Sequence, residues 1–175
     1  MKINTRNLIT AAIIGALYAV LTMVLAPISY GPLQFRVSEV LCILPFFMPY
    51  TAWGLFAGCI IANLMSTAGV LDVVFGSLAT LITCLCVAWC GKRGNTLKNR
   101  LIACFMPVFW NALIVGATLT VALAGLNPLE DIGAFAVYAG QVGLGELGVM
   151  YVVGLPLMTY LPKQRFFSEF VDKHS

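Results

Sequence analysis

Apolar residues run along this chain in long blocks separated by short polar clusters, with neither the strict alternation of a strand nor the single apolar stripe of a surface helix. The blocks fall near 8–26, 37–50, 51–66, 71–90, 101–124 and 133–161. A transmembrane helix needs about 20 predominantly apolar residues, so the pattern predicts an all-α integral membrane protein, a bundle of six transmembrane helices. Residues 1–175 then form a single membrane domain, with a cytoplasmic tail over 162–175. Segments two and three are short and separated only by Met48-Pro49-Tyr50-Thr51. Pro49 cannot continue a helix without losing a hydrogen bond, so a tight turn is expected there. The alternative is one long bent span and five crossings.

Charge placement decides between them. Lys and Arg favour the cytoplasmic side of a membrane, and they cluster at Lys2 and Arg6, at Lys92, Arg93, Lys98 and Arg100, and at Lys163, Arg165 and Lys173. Six spans put all three clusters on one side, with both termini cytoplasmic. Five spans force the N-terminus outside. The outer side then receives 30–36, 66–71 and 125–132, with Glu39, Asp72, Glu130 and Asp131 at or near that face. Loop one, 26–36, is expected to fold over the outer end of a cavity as a gate.

Composition agrees. Of 175 residues, 61% are apolar and 10% charged, where a soluble domain averages about 25% charged. An ordinary soluble domain, a nucleic-acid binder and a disordered tail are excluded, and six spans leave no room for a soluble catalytic domain. The first apolar run exceeds the 7–15-residue core of a cleavable signal, so it reads as a retained span. The cysteines Cys42, Cys59, Cys84, Cys86, Cys90 and Cys104 all lie in apolar runs, where cysteine is a small buried hydrophobe. The single histidine, His174, leaves a zinc site short of ligands, so no metal is expected, and no cofactor. There is no phosphate-binding Gly-rich loop, H-E-x-x-H or nucleophile elbow, which argues against an enzyme and against ATP hydrolysis by this chain.

Ionisable and amide residues inside spans are rare and are site hypotheses by default. Glu146 lies near the middle of segment six, among Gly140, Gly143, Gly145 and Gly148, which permit close approach of a ligand or another backbone. Gln141 lies five positions earlier, about 140° around an ideal helix. Glu39 falls in the first turn of segment two, where it complements the helix dipole and can pair with Arg36. Asp72 reads equally as an N-cap for segment four. Asn63 lies in segment three, and Asn111, with Trp110 beside it, in segment five. Amides also join membrane helices to one another. On segment one, Ala12, Gly15, Ala16 and Ala19 form a small-residue stripe that permits close helix approach, either within the bundle or as a docking face for another membrane protein.

Taken together these residues resemble the substrate-binding (S) components of energy-coupling factor (ECF) vitamin transporters, and more narrowly the QueT family of queuosine-precursor transporters. The resemblance is carried by Gly31-Pro32-Leu33-Gln34-Phe35-Arg36-Val37-Ser38-Glu39 with Leu44-Pro45, by Gly58-Cys59-Ile60-Ile61-Ala62-Asn63-Leu64, by Asp72 to Leu81, and by Gly143-Leu144-Gly145-Glu146. It implies a binding subunit in the plasma membrane of a prokaryote, docking through Ala12, Gly15, Ala16 and Ala19 on a transmembrane coupling subunit that works with two ATPase subunits. It also implies a 7-deazaguanine ligand such as preQ1, preQ0 or queuine. A guanine edge presents two donors to a carboxylate such as Glu146 and a carbonyl to an amide from Gln141, Asn63 or Asn111. A ligand's cationic amine would suit a second carboxylate, Glu39 or Asp72. Trp110, Phe35 or Tyr138 would stack on the ring, and Arg36 joins the candidate set. Two other function classes stay open: a stand-alone or proton-coupled carrier with Glu146 as its titrating group, and a structural membrane subunit without ligand.

Overall fold

A computed structural model describes residues 4–30 and 35–173. The expected roles of Gln34 and the rest of 31–34 in the loop-one gate lie outside the described residues, as do Lys2 and His174. Every regular element among the described residues is a helix. Helix α1 (Thr5–Val24) starts where the Asn4 side chain accepts from the Arg6 amide, and the short α2 (Ala26–Ser29) follows with Pro27 in its first turn. A 3₁₀ segment spans Val37–Phe46, and α3 spans Thr51–Asn63. The expected turn lies between them, tied by the Thr51 hydroxyl donating to the Met48 carbonyl at 2.7 Å.

A π-helical turn, Asp72–Gly76, runs straight into α4 (Ser77–Lys92). The 28-residue α5 (Leu97–Ala124) is N-capped by Thr96 and closed by Gly125 in the left-handed region, φ 66°. Helix α6 (Ile132–Gly148) passes through a second π-helical stretch, Val149–Gly154, into α7 (Leu155–Tyr160). Pro156 offers no N–H to the carbonyl four residues back, and the wider π register lies just before it. After a 3₁₀ turn at Leu161–Lys163, α8 (Arg165–Asp172) ends the described chain.

Four of these elements are long and apolar enough to cross a bilayer: Thr5–Val24, Asp72–Lys92, Leu97–Ala124 and Ile132–Lys163. The segments expected at 37–50 and 51–66 are shorter, at 10 and 13 residues. At about 2.0 Å per residue for 3₁₀ and 1.5 Å for α, each reaches about 20 Å against a hydrocarbon core of about 30 Å. The chain is a multi-pass membrane protein built on four full-length helices, with two shorter apolar helices between the first and second.

Packing differs around the bundle. At the α1–α3 seam backbone lies on backbone. A Cβ added to Gly15 would overlap the Gly54 carbonyl, one on Gly54 the Ala11 carbonyl, and one on Gly58 the Gly15 carbonyl. Close approach through small residues is how helices gain contact in lipid, where the solvent offers no hydrophobic drive. The seam divides the predicted stripe: Gly15 is buried in it and Ala19 is buried one turn on along the same face, while Ala12 and Ala16 stay exposed on the flank of α1 that leads to Ile9, Ile13 and Val20. Gly15 and Ala19 therefore pack inside this chain.

Two apolar clusters fill the ends of the bundle. Ile43, Phe46, Val87, Cys104, Met150 and Met158 pack together toward the end that carries the 93–96 turn. Ala68, Ala79, Val115, Leu119 and Val142 pack toward the other. The basic residues Arg6, Lys92, Arg93, Lys98, Arg100, Lys163, Arg165 and Lys173 all belong to segments at the first end, and Arg36 is the exception at the second.

Candidate functional site

Between the apolar clusters the bundle buries a group of polar side chains. Arg36 precedes the 3₁₀ segment on extended backbone (φ −84°, ψ 90°), so helical periodicity does not set its direction. Its guanidinium Nη2 donates to Asp72 Oδ2 at 2.9 Å, and both side chains are buried. The sequence left Arg36 free to pair with Glu39 and Asp72 to cap α4. The structure pairs them with each other, and Asp72 makes no cap hydrogen bond.

Asn63, at the end of α3, fixes the π turn. Its Nδ2 donates to the Asp72 carbonyl at 2.9 Å and lies 3.3 Å from Ser77 Oγ. Gly76 makes room, since a Cβ there would collide with Asp72 Oδ1 and Asn63 Nδ2. Stretches of π helix are rare and concentrate at functional sites; this one opens on Asp72.

Glu39 lies in the first turn of the 3₁₀ segment and is fully buried. Tyr18 of α1 donates its hydroxyl to Oε1 at 2.5 Å, and the Cys42 thiol donates to Oε2 at 3.1 Å. Cys59 sits 3.6 Å from the Tyr18 hydroxyl and 3.2 Å from Thr80 Oγ1. One turn along α1, Thr22 and Ser38 hydroxyls bond at 2.6 Å. The Tyr30 hydroxyl donates to the Ala62 carbonyl at 2.5 Å, and Arg36 lies over the Tyr30 ring, 5.7 Å from its centroid.

Glu146 faces this group from α6. Asn111 of α5 donates Nδ2 to its Oε1 at 2.9 Å. The Glu146 side chain is buried, as are those of Glu39, Asp72 and Arg36. Four buried atoms there have no hydrogen-bond partner: Glu146 Oε2, Asp72 Oδ1, Asn63 Oδ1 and Arg36 Nε. Buried polar atoms are paired in the great majority of cases, and here three acceptors and one donor are unmet.

A family model described as QueT transporter matches residues 8–163. This chain belongs to the QueT transporter family. A protein of Lactococcus lactis subsp. cremoris (strain MG1363) named Queuosine precursor transporter QueT is 46% identical over 83 residues. That match covers 46% of this chain and 48% of the relative, so the chain spans about half the length of the curated relative it matches. No solved structure matches it. Family and relative are both named as transporters, not as enzymes.

Four of the site residues expected from sequence, Glu39, Arg36, Asn63 and Asp72, lie in the buried group at the 3₁₀ segment, α3 and the π turn, and two more, Asn111 and Glu146, pair with each other between α5 and α6. The remainder lie outside these two groups. Phe35 lays its ring against Gly148, two residues on from Glu146; a Cβ there would be 3.2 Å from Phe35 Cε2. Tyr138 is half-buried against Val115, Leu119 and Val142. Trp110 is half-buried with its ring edge-on to Phe109, centroids 5.2 Å apart. Gln141 is half-buried, and because α6 is regular from Ile132 to Gly148 the 140° separation from Glu146 persists. Gln141 and Glu146 do not share a helix face. Sequence reasoning missed Tyr18, Cys42, Cys59 and Thr80. For Tyr18 the signal was present: a phenol three residues after Gly15 in an otherwise apolar run must find a partner for its hydroxyl.

Proposed function

We propose that this chain is the substrate-binding subunit of an energy-coupling factor importer and captures a queuosine precursor, a 7-deazaguanine, at the Glu146 cluster. The observation that carries this reading is the set of unmet atoms. A guanine-type edge presents N1–H and N2–H to a carboxylate, and Glu146 has one oxygen without a partner. The ring carbonyl needs a donor, and Arg36 Nε is unmet. Phe35 lies against Gly148, two residues on from Glu146, and supplies an aromatic ring near that part of α6. The name of the Lactococcus relative agrees with this ligand class.

In this reading the chain crosses the plasma membrane of a prokaryote six times with both termini cytoplasmic. The two short helices cross where the bilayer thins to meet them. The basic end faces the cytoplasm, as Lys- and Arg-rich loops do. Ala12 and Ala16, exposed on α1 beside Ile13 and Val20, form the face that meets the coupling subunit, which brings the two ATPases. The proposal narrows the docking face to these two alanines, since Gly15 and Ala19 are used internally.

A ligand that binds only the folded state raises its stability by mass action, about 2.7 kcal/mol at 100 times its Kd. Purified chain titrated with 7-deazaguanines should therefore melt at rising temperature. No shift with any purine-like compound supports the structural-subunit reading instead. Uptake by cells lacking the ATPase subunits supports a stand-alone carrier.

A further inference from the structure

At the end of the bundle that carries the 93–96 turn, an open groove of about 510 Å³ runs between the start of α5 and α7. That volume lies within the range of about 300–1,000 Å³ typical of small-molecule sites. Leu97, Leu155 and Pro156 give the groove apolar walls, and Tyr151, Thr159, Tyr160 and Lys163 bring its polar atoms. Two of those atoms are used within the chain. The Tyr151 hydroxyl donates to the Leu101 carbonyl at 3.1 Å, and the Thr159 hydroxyl to the Leu155 carbonyl at 2.9 Å. Among the described residues no ion pair engages Lys163, which is exposed. An apolar trough with a spare ammonium matches the two parts of a phospholipid, acyl chain and phosphate.

The surroundings place this groove at headgroup level. Trp and Tyr gather at membrane–water interfaces, and Trp53, Trp89 and Tyr160 are each more than half exposed at this end. Arg93 lies over the Trp89 ring, 3.4 Å from its centroid. Leu97 and Val152 leave apolar surface exposed on α5 and the second π stretch, as spanning helices that face acyl chains do. Charge here is one-sided. Lys92, Arg93, Lys98, Arg100, Lys163 and Arg165 belong to these segments, against the α8 carboxylates Glu169 and Asp172. Glu169 is spent on Arg165 at 2.8 Å. Basic pockets between spanning helices suit anionic headgroups. We propose that the groove seats an anionic phospholipid, its acyl chain along Leu97, Leu155 and Pro156 and its phosphate at Lys163. The site is separate from the Glu146 cluster and does not depend on what that cluster binds.

The test counts lipid adducts on the full-length chain in detergent by native mass spectrometry. The probes are phosphatidylglycerol and phosphatidylcholine with identical acyl chains, because choline neutralises its own phosphate and glycerol does not. Phosphatidylglycerol should bind about 5-fold more tightly, the advantage that one lysine near an anionic lipid supplies. Lys163→Gln should bring that ratio close to one. Lys173→Gln makes the same charge change outside the groove and should leave the ratio at the parent's value. Inorganic phosphate should displace neither lipid. Equal binding of the two lipids by the unaltered chain overturns the proposal. So does a ratio that falls as far with Lys173→Gln as with Lys163→Gln, since the charge would then act from the whole face. Displacement by inorganic phosphate would make Lys163 part of a simple anion site and overturn the lipid assignment. Absence of either adduct also overturns it and leaves the groove to a protein partner.

Discussion

Around Arg36, Asp72, Asn63 and Glu39, side chains from α1, the 3₁₀ segment, α3 and the π turn bond one another directly: guanidinium to carboxylate, amide to backbone, phenol and thiol to carboxylate. Across the bundle, Glu146 on α6 hangs on a single amide from Asn111. The first region ties the full-length α1 to three elements that are short or irregular. The second joins two long helices, α5 and α6, that have ample contact of their own, with Gly116 against Ala139 and Gly143 near Ala112. Polar residues buried in one membrane domain thus serve two ends. Those near the 3₁₀ segment substitute for the regular packing that a 10-residue helix cannot supply, and Glu146 is left with capacity to spare.

Substitutions should separate the two regions. The largest effect on stability is expected from Asp72→Asn, which leaves the Arg36 guanidinium buried without its counter-charge. Breaking a buried pair from one side costs about 3–5 kcal/mol, so the melting temperature of the purified chain should fall steeply, with or without ligand. An unchanged melting temperature would mean that the first region does not hold the fold. Gly54→Ala comes next, because its new methyl meets the Ala11 backbone. Overpacking of this kind costs about 1–3 kcal/mol, read by the same melt. If Gly54→Ala were as stable as the parent, the α1–α3 seam would be looser than its geometry states. Ala16→Leu should be the mildest for the isolated chain, since Ala16 points away from the seam. Under the proposed importer reading, its effect should appear only as weaker co-purification with a coupling subunit. Loss of ligand affinity with the partner retained would return Ala16 to the internal core.

Much of the fold was legible because the constraint is blunt: long apolar runs in a chain this poor in charge must span or pack. The four long helices and the turn near Pro49 follow from residues alone. The 3₁₀ character of Val37–Phe46 did not, because a segment apolar on nearly every side shows no period from which 3.0 and 3.6 residues per turn can be told apart. The site was legible as an inventory and not as a set of pairs. Glu39, Asp72, Glu146, Asn63 and Asn111 stood out as polar residues in apolar surroundings. Which carboxylate takes Arg36 depends on an extended residue before the segment, and spacing along a helix says nothing about it. The α1 stripe failed in part for a similar reason. Gly15 and Ala19 belong to a seam whose other half, Gly54 and Gly58, lies on α3.

The central claim is that Glu146 is a ligand group and not a helix fastener. Ligand titration of Glu146→Gln tests it most directly, because the amide keeps the shape and removes the acceptor that a ring's paired donors require. A site built to hydrogen-bond its ligand discriminates strongly when partners are mismatched. The expected result is a loss of roughly 100-fold in affinity for a 7-deazaguanine, about 3 kcal/mol, with a melting temperature of the ligand-free protein close to the parent's. Unchanged affinity in a folded Glu146→Gln protein would contradict the account and leave Glu146 as the fastener between α5 and α6.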